Sequence, residues 1–332
     1  MQKVEAETAA TTARAVPTGE TIRQLAREIE AVVGPQGLIQ RPEQLRTYES
    51  DGLTAYRQIP ALVVLPASGA EVQGVVRLCN RYGVPFVPRG SGTGLSGGAM
   101  PVEGGVLIGL SRMNKILEVD LPNQRAVVEP GVLNLWVTQK VAPQGYYYAP
   151  DPSSQQVCSI GGNVAENSGG AHCLKYGFTV NHVLGLEVVL PDGEMVELGG
   201  PTLDAPGYDL TGIVVGSEGT LGIATKVTVR IVRRAESIRM LLAAYPTTDG
   251  AGEAVSGIIA AGIIPAAVEI MDQLAVEAAE AAVHAGYPLD AGAILLVELD
   301  GNRVEVDRQY EEVEAICRRA GATEIRPARD AD

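Results

Sequence analysis

Pro88-Arg89-Gly90-Ser91-Gly92-Thr93-Gly94-Leu95-Ser96-Gly97-Gly98 follows a strand-like run at Val84 to Val87 and contains a literal G-x-G-x-x-G from Gly92 through Gly97. In a Rossmann fold that fingerprint opens a helix whose N-terminus faces a pyrophosphate. Here Gly97, Gly98 and Pro101, with Gly104 and Gly105 behind them, break any helix at once, so the glycines serve a loop. Seven of the eight residues from Ser91 to Gly98 carry nothing larger than threonine. Successive backbone amides can therefore turn toward one anion and form a phosphate nest.

Two further segments have the same character. Asp151-Pro152-Ser153-Ser154 leads into Ser159-Ile160-Gly161-Gly162-Asn163-Val164-Ala165-Glu166-Asn167-Ser168-Gly169-Gly170, a run of small residues with amide side chains that donate and accept hydrogen bonds. Gly216-Ser217-Glu218-Gly219-Thr220-Leu221-Gly222-Ile223 lacks the Gly-Lys-Ser/Thr ending of a Walker loop, which excludes it as a nucleoside-triphosphate hydrolysis site. A lone loop of this kind is more often a plain surface turn, whereas three in one domain point to a shared phosphate-bearing ligand.

Around these loops the periodicity predicts mixed helix and sheet. Ile22, Leu25, Ile29 and Val32 mark a helix that Gly34-Pro35 stops. Residues 61–88 read as a β-α-β unit with parallel strands, its helix opened by the capping box Ser68/Glu71, lined by Val72, Val75, Val76 and Cys79, and closed by Gly83. Strands are expected at 106–110, 116–119, 126–129, 183–190, 195–198 and 226–232, with a helix carrying Leu133, Trp136, Val137 and Val141. Beyond Arg233-Arg234 come a strand at 240–245, Ala-rich helices near 250–262 and 273–285, a strand at 293–299, an amphipathic helix over 303–319 and a strand near Thr323. The expected organisation is a disordered N-terminal tail over 1–17, an α+β domain over 18–235, and an incomplete ferredoxin-like cap over 236–332.

Composition narrows the function classes. The chain has 332 residues, 46% of them hydrophobic, with 39 glycines and 20 prolines dispersed between apolar runs. A net charge of −14 excludes recognition of a nucleic-acid backbone and means that any bound anion is held locally, by main-chain N–H groups or a few placed cations. The four cysteines (Cys79, Cys158, Cys173, Cys317) have no metal-ligand spacing, so no metal site is expected and a reduced, cytoplasmic setting follows. Val255 to Val268, the longest uncharged apolar-rich stretch, contains Pro265 and falls below the ~18 residues of a membrane span. No direct membrane insertion is expected.

The three loops, in this order and spacing, resemble the FAD-binding domain of the vanillyl-alcohol oxidase and p-cresol methylhydroxylase superfamily. Asn167 to Gly177 and Leu186 to Gly193 are similar to the branch that holds glycolate oxidase and D-lactate dehydrogenase. The resemblance implies a two-subdomain FAD-binding fold over 18–235 followed by a cap. It implies that Arg89, Gly90, Ser91, Gly92, Thr93, Gly94, Leu95 and Ser96 wrap the pyrophosphate. Pro152, Ser153, Ser159, Ile160, Gly161, Gly162 and Asn163 would lie on the flavin side, with Asn167, Gly169 and Gly170 in the same wall. Glu218, Gly219 and Ile223 would sit at the adenine and ribose end. Some relatives tether the flavin through a histidine of the first loop, and none occurs from Pro88 to Met100, so a non-covalent FAD is expected.

The implied reaction is oxidation of a small 2-hydroxy acid, glycolate or D-lactate, to the 2-oxo acid. Electrons would pass to a quinone or to a partner, with iron–sulphur and second flavin subunits as expected partners and attachment at the inner membrane only through them. Such chemistry needs a base near the hydroxyl and a cation for the carboxylate. His172, Lys175 and Tyr176 are the candidates, beside the alternative of a local hydrogen-bonding corner; for Glu269 and Asp272 the resemblance implies a position at the end of a cap-domain strand, and the residues alone read as a charged helix start. Members of the branch continue past the point where this chain stops, with a Glu-His-Gly type motif that bears the expected base, so a truncated chain is part of the expectation. The alternatives are a flavin-dependent transferase of the same fold and a non-catalytic FAD-binding subunit.

Overall fold

The computed structural model describes residues 16–202 and 207–327; residues 1–15 of the expected tail lie outside the described residues. Helix α1 (Gly19–Val33) starts at Thr18, whose hydroxyl accepts the Thr21 N–H, and buries Leu25, Ala26, Ile29 and Val33. The expected Val32 is exposed instead, and Val33, 100° further round, takes the inward place. After β1 (Leu38–Ile39) and the one-turn helix α2 (Pro42–Leu45) come β2 (Leu62–Val64), α3 (Gly69–Tyr82), β3 (Phe86–Arg89) and β4 (Val106–Gly109).

Helix α3 opens as the capping box predicts. Ser68 Oγ accepts the Glu71 N–H at 3.3 Å, and the Glu71 carboxylate takes the Ala67 N–H at 2.7 Å, one residue before the usual donor. Its inner face buries Val72, Val75, Val76, Leu78 and Cys79, and burial pushes the Cys79 thiol up to about 12. The sheet order is β1-β2-β4-β3. The expected β-α-β connection is present, but β2 and β3 are not neighbours: β4 lies between them and runs parallel to both. Its apolar run Val106-Leu107-Ile108, buried throughout, suits a central strand, whereas β3 contains Pro88, which has no N–H for a second neighbour and belongs at an edge. The first glycine loop therefore springs from an edge strand.

The second layer comprises β5 (Ile116–Asp120), β6 (Arg125–Val128), α4 (Asn134–Val141), β7 (Tyr146–Tyr147), α5 (Ile160–Glu166), α6 (Cys173–Tyr176), β8 (Val183–Val189), β9 (Met195–Gly199), α7 (Leu210–Val214), β10 (Ile223–Arg230) and β11 (Val232–Arg233). Five of these strands form an antiparallel sheet in the order β5-β6-β10-β8-β9. Strict inside-outside alternation along β10 buries Ile223, Thr225, Val227 and Val229. The Pro191-Asp192-Gly193 turn joins β8 to β9, with Asp192 Oδ1 accepting the Glu194 N–H. Helix α5 lies within a segment expected to be loop.

The third layer contains β12 (Ser237–Tyr245), α8 (Thr248–Ala260), β13 (Ala267–Asp272), α9 (Gln273–Val283), β14 (Ala293–Gly301), α10 (Arg303–Arg319) and β15 (Glu324–Pro327). The order β13-β14-β12-β15, antiparallel throughout, is the ferredoxin-like arrangement with α9 added between the second and third strands. Helices α8 and α10 cover one face, with Val313 and Ile316 of α10 in one apolar core with Leu241, Leu295 and Val297 of the sheet. Periodicity did not mark β13; of the two readings of Glu269 and Asp272, the strand end fits β13 and the helix start fits only Asp272. Asp272 does cap a helix, accepting the Ala275 N–H at 2.8 Å, but α9 begins where β13 ends.

Candidate functional site

Three segments distant in sequence meet at one cleft of about 220 Å3. The loop after β3 contributes Arg89 to Ser96 with Gly98 and Ala99; the α5 region contributes Ser154, Cys158, Ser159, Gly161 to Glu166 and Ser168; the third loop contributes Ser217, Glu218, Gly219 and Gly222 to Ala224. Close approach between the loops requires glycine. A Cβ on Gly90 would lie 2.5 Å from Ser159 Oγ, and one on Gly219, which adopts a left-handed φ of 74°, would lie 2.9 Å from Pro88 Cγ. The third loop is fastened to the second by Gly216 N–H to Val164 O and Glu218 N–H to Ala165 O, both 2.8 Å.

The cleft wall holds polar groups that the protein leaves unused. Ser159 Oγ and both amide atoms of Asn163 are buried without a hydrogen-bond partner among the described residues. Native interiors rarely tolerate such groups unless a ligand or water completes them. The N–H groups of Ser91 through Gly98 likewise find no acceptor among the described residues. Asp51, buried, shapes this loop from behind by accepting the N–H groups of Leu53 at 2.9 Å and Ala99 at 3.3 Å. Arg89 donates to Ser50 O at 2.7 Å and sits 5.9 Å from the Tyr48 ring; burial lowers its guanidinium pKa from the ordinary value, against the opposing pull of Asp51. The cleft lining carries one guanidinium, Arg89, and three carboxylates, Asp51, Glu166 and Glu218, with Ser96 Oγ donating to Glu166 at 3.2 Å. The cleft thus offers an anion main-chain donors more than side-chain charge.

Of the residues expected to touch a cofactor, Arg89 to Ser96, Ser159, Gly161, Gly162, Asn163, Glu218, Gly219 and Ile223 line the cleft. Pro152, Ser153, Ile160, Asn167, Gly169 and Gly170 do not; several of them support the wall from behind. Ile160 is fully buried in the second core. Asn167, left-handed at the end of α5, accepts the Val180 N–H through Oδ1 at 2.9 Å. Gly170 packs so closely on the Asp151 carbonyl that a methyl group would overlap it. Asp51, Cys158, Glu166 and Ser217 also border the cleft and were not anticipated. Asp51-Gly52 reads locally as an ordinary turn, and only the fold brings it to the glycine loop.

His172, Lys175 and Tyr176 form a separate cluster against β14. His172 Nδ1 pairs with Asp151 Oδ2 at 2.6 Å and Nε2 with Glu298 Oε1 at 3.3 Å. Hydrogen bonds to these two carboxylates, Asp151 first, raise the imidazole to about 10. It is therefore an imidazolium at neutral pH, with no lone pair free to take a proton. Lys175 Nζ and the Tyr176 hydroxyl both donate to the Asp300 carboxylate, and Lys175 also reaches the Asp300 carbonyl at 2.7 Å. Burial, then the Asp300 contact, drives the Tyr176 pKa upward. His182 is buried, with Nε2 on Tyr176 O at 2.8 Å. Among the described residues there is no group of His, Cys, Asp and Glu arranged for a metal ion, and no helix is long and apolar enough to cross a membrane.

Residues 60–199 match the family described as FAD binding domain, and residues 234–332 the family described as FAD linked oxidases, C-terminal domain. The chain is 52% identical over 293 residues to the glycolate oxidase subunit GlcD of Escherichia coli K12, covering 88% of this chain and 59% of that protein. It is 42% identical to the subunit of the same name in Bacillus subtilis, covering 92% and 65%, and 34% identical to a D-lactate dehydrogenase of Anaerostipes hadrus, covering 88% and 63%. The chain thus spans about three fifths of the length of these relatives. Solved structures similar in fold are an alkyldihydroxyacetonephosphate synthase, with TM-score 0.81, 24% identity and coverage of 92% and 60%, and p-cresol methylhydroxylase with substrate bound, with TM-score 0.80, 20% identity and coverage of 94% and 67%.

Proposed function

We propose that this chain, whose residues 60–199 and 234–332 match an FAD binding domain and an FAD linked oxidase C-terminal domain, is an FAD-linked oxidase whose cleft holds FAD non-covalently and which oxidises a small 2-hydroxy acid, glycolate or D-lactate, to the 2-oxo acid. One observation carries the reading: three loops converge on a cleft whose wall presents unpartnered buried polar atoms and a run of unpartnered N–H groups. Bound there, FAD supplies the hydride acceptor that oxidation of an alcohol carbon requires.

The residues divide the work by chemistry. The N–H groups of Ser91 to Gly98 would hold the pyrophosphate and meet its charge, which the carboxylates of the cleft cannot. Ser159 Oγ and the Asn163 amide, each able to donate and accept, take the polar edge of the ligand on the α5 side. Glu218, Gly219 and Ile223, which line the same cleft, would hold the adenine and ribose end. His172, Lys175 and Tyr176 are not assigned to proton abstraction, because their polar atoms are engaged with Asp151, Glu298 and Asp300. Electrons leave to a quinone or to a partner subunit carrying iron–sulphur or a second flavin, and any membrane attachment comes through that partner.

The test is anaerobic. Protein loaded with FAD is mixed with glycolate, D-lactate and larger 2-hydroxy acids while flavin absorbance is followed, and bleaching by the small acids is expected. A protein that binds no FAD refutes the cofactor assignment. Stoichiometric FAD that no 2-hydroxy acid bleaches refutes the substrate assignment. Acid precipitation of the loaded protein should release the flavin into the supernatant, and flavin retained in the pellet contradicts a dissociable cofactor.

A further inference from the structure

The cluster around His172 joins two layers of the fold at the base of the second cleft segment. Asp151 stands at the start of that segment and Gly170 to His172 at its end. Asp151 holds both ends together: Oδ2 pairs with the His172 ring, Oδ1 accepts the His172 N–H at 3.4 Å, and its carbonyl is packed directly against Gly170. Between those ends lie Ser154, Ser159, Gly162 and Asn163 of the cleft wall. Whatever moves His172 moves the base from which the wall is hung.

What holds His172 from the other side is β14. Glu298 and Asp300 are two residues apart and share a face of the strand, while Val297 and Leu299 between and beside them are locked in the apolar core of the third layer. The strand cannot rotate to release its carboxylates without exposing that core. His172, Lys175 and Tyr176 are three and four apart across the single turn of α6, so they too present one face. Two points of attachment fix direction as well as distance: His172 on Glu298, and Lys175 with Tyr176 on Asp300. The groups facing His172 are Asp151, Glu298 and the Tyr176 ring, with Lys175 and Asp300 one turn away and Tyr147 stacked edge-on against Tyr176. Three carboxylates against two cations make this a poor seat for a substrate carboxylate and a good tie between layers.

We propose that Glu298 and Asp300 are positioning residues that act through His172, Lys175 and Tyr176, so that docking of the third sheet sets the geometry of the second cofactor segment. The proposal rests on the reading that the cleft binds FAD. It makes cofactor affinity a property of both layers, although none of the described residues of the third lines the cleft.

The experiment measures FAD binding by flavin fluorescence quenching, the visible circular dichroism of the bound flavin, and the melting temperature of each protein. Glu298→Ala is expected to weaken FAD binding about five- to tenfold and to alter the flavin dichroism at saturating FAD. Glu298→Gln keeps the reach without the charge, gives a smaller change of the same sign, and decides the matter if the alanine variant does not fold. The double variant Glu298→Ala/His172→Gln is expected to bind no more weakly than the weaker single variant, as residues acting in series require. Arg239→Ala, which breaks the pair with Asp307 elsewhere in the third layer, leaves FAD affinity unchanged. Parent affinity and parent dichroism in the folded Glu298 variants, with only a lower melting temperature, overturn the proposal and leave the cofactor reading standing. A parent protein that binds no FAD overturns both.

Discussion

Replacing Gly162 by alanine should stabilise the empty protein and weaken its hold on FAD, two effects of opposite sign that a general loss of folding would not produce together. Gly162 lies in the first turn of α5, without a positive φ, where alanine is the better helix former. A Cβ built there meets only Ser159 Oγ, at 3.4 Å, an ordinary contact. Its neighbour Gly161 differs, since a Cβ there would lie 2.7 Å from Pro130 Cβ. The gain at Gly162 is about 0.5 kcal/mol, the low end for a Gly to Ala change because the site is in the first turn. That corresponds to a rise in Tm of about 1–2 °C. The new methyl group projects beside Ser159 Oγ on the cleft wall, where cofactor atoms must approach. Overpacking of about 1–3 kcal/mol weakens FAD about 5- to 150-fold. Thermal melts without FAD and fluorescence titration with FAD give the two numbers. Undiminished FAD affinity in the variant would refute the assignment of this wall to the cofactor, whatever the melts show.

Gly170→Ala should cost about 3 kcal/mol or more, because its methyl overlaps the Asp151 carbonyl at the base of the second segment; urea unfolding reads this directly, and a parent-like midpoint would contradict the packing. His172 ties stability to pH: its folded pKa of about 10 exceeds the unfolded value near ~6.5, so the stabilisation is complete below the lower value and is lost as pH rises through about 10. Denaturation midpoints should fall between pH 7 and 10 in the parent and much less in His172→Gln, and parallel curves would refute the imidazolium assignment. Asp272→Ala removes the cap of α9 and should lower stability by about 1 kcal/mol while leaving FAD affinity untouched, as paired urea and FAD titrations would reveal.

Local patterns made much of the fold legible. The capping box at Ser68, the helix over 303–319 and the hairpin turn at Pro191-Asp192-Gly193 are each set by residues within a few positions of one another. Insertion of β4 between β2 and β3 was not legible, because pairing partners across 20 or more residues leave no local mark; only the Pro88 in β3 hinted at an edge. Helix α5 was hidden by composition, since Gly161 and Gly162 oppose a helix and tertiary packing of Ile160 and Val164 overrides them. The glycine loops were readable from their lack of side chains. Asp51 and Glu166 at the cleft were not, because their position depends on contacts made by the whole domain. The junction of His172 with Glu298, 126 positions apart, lies wholly beyond sequence periodicity.

The first glycine loop leaves an edge strand and owes its shape to Asp51 on one side, Ser159 on another and the third loop above Pro88. No short fragment of the chain could reproduce that concavity. FAD is therefore expected to bind late, with quenching of its emission lagging the burial of the core in a refolding experiment. Flavin colour in a preparation then counts molecules that have finished assembling these loops.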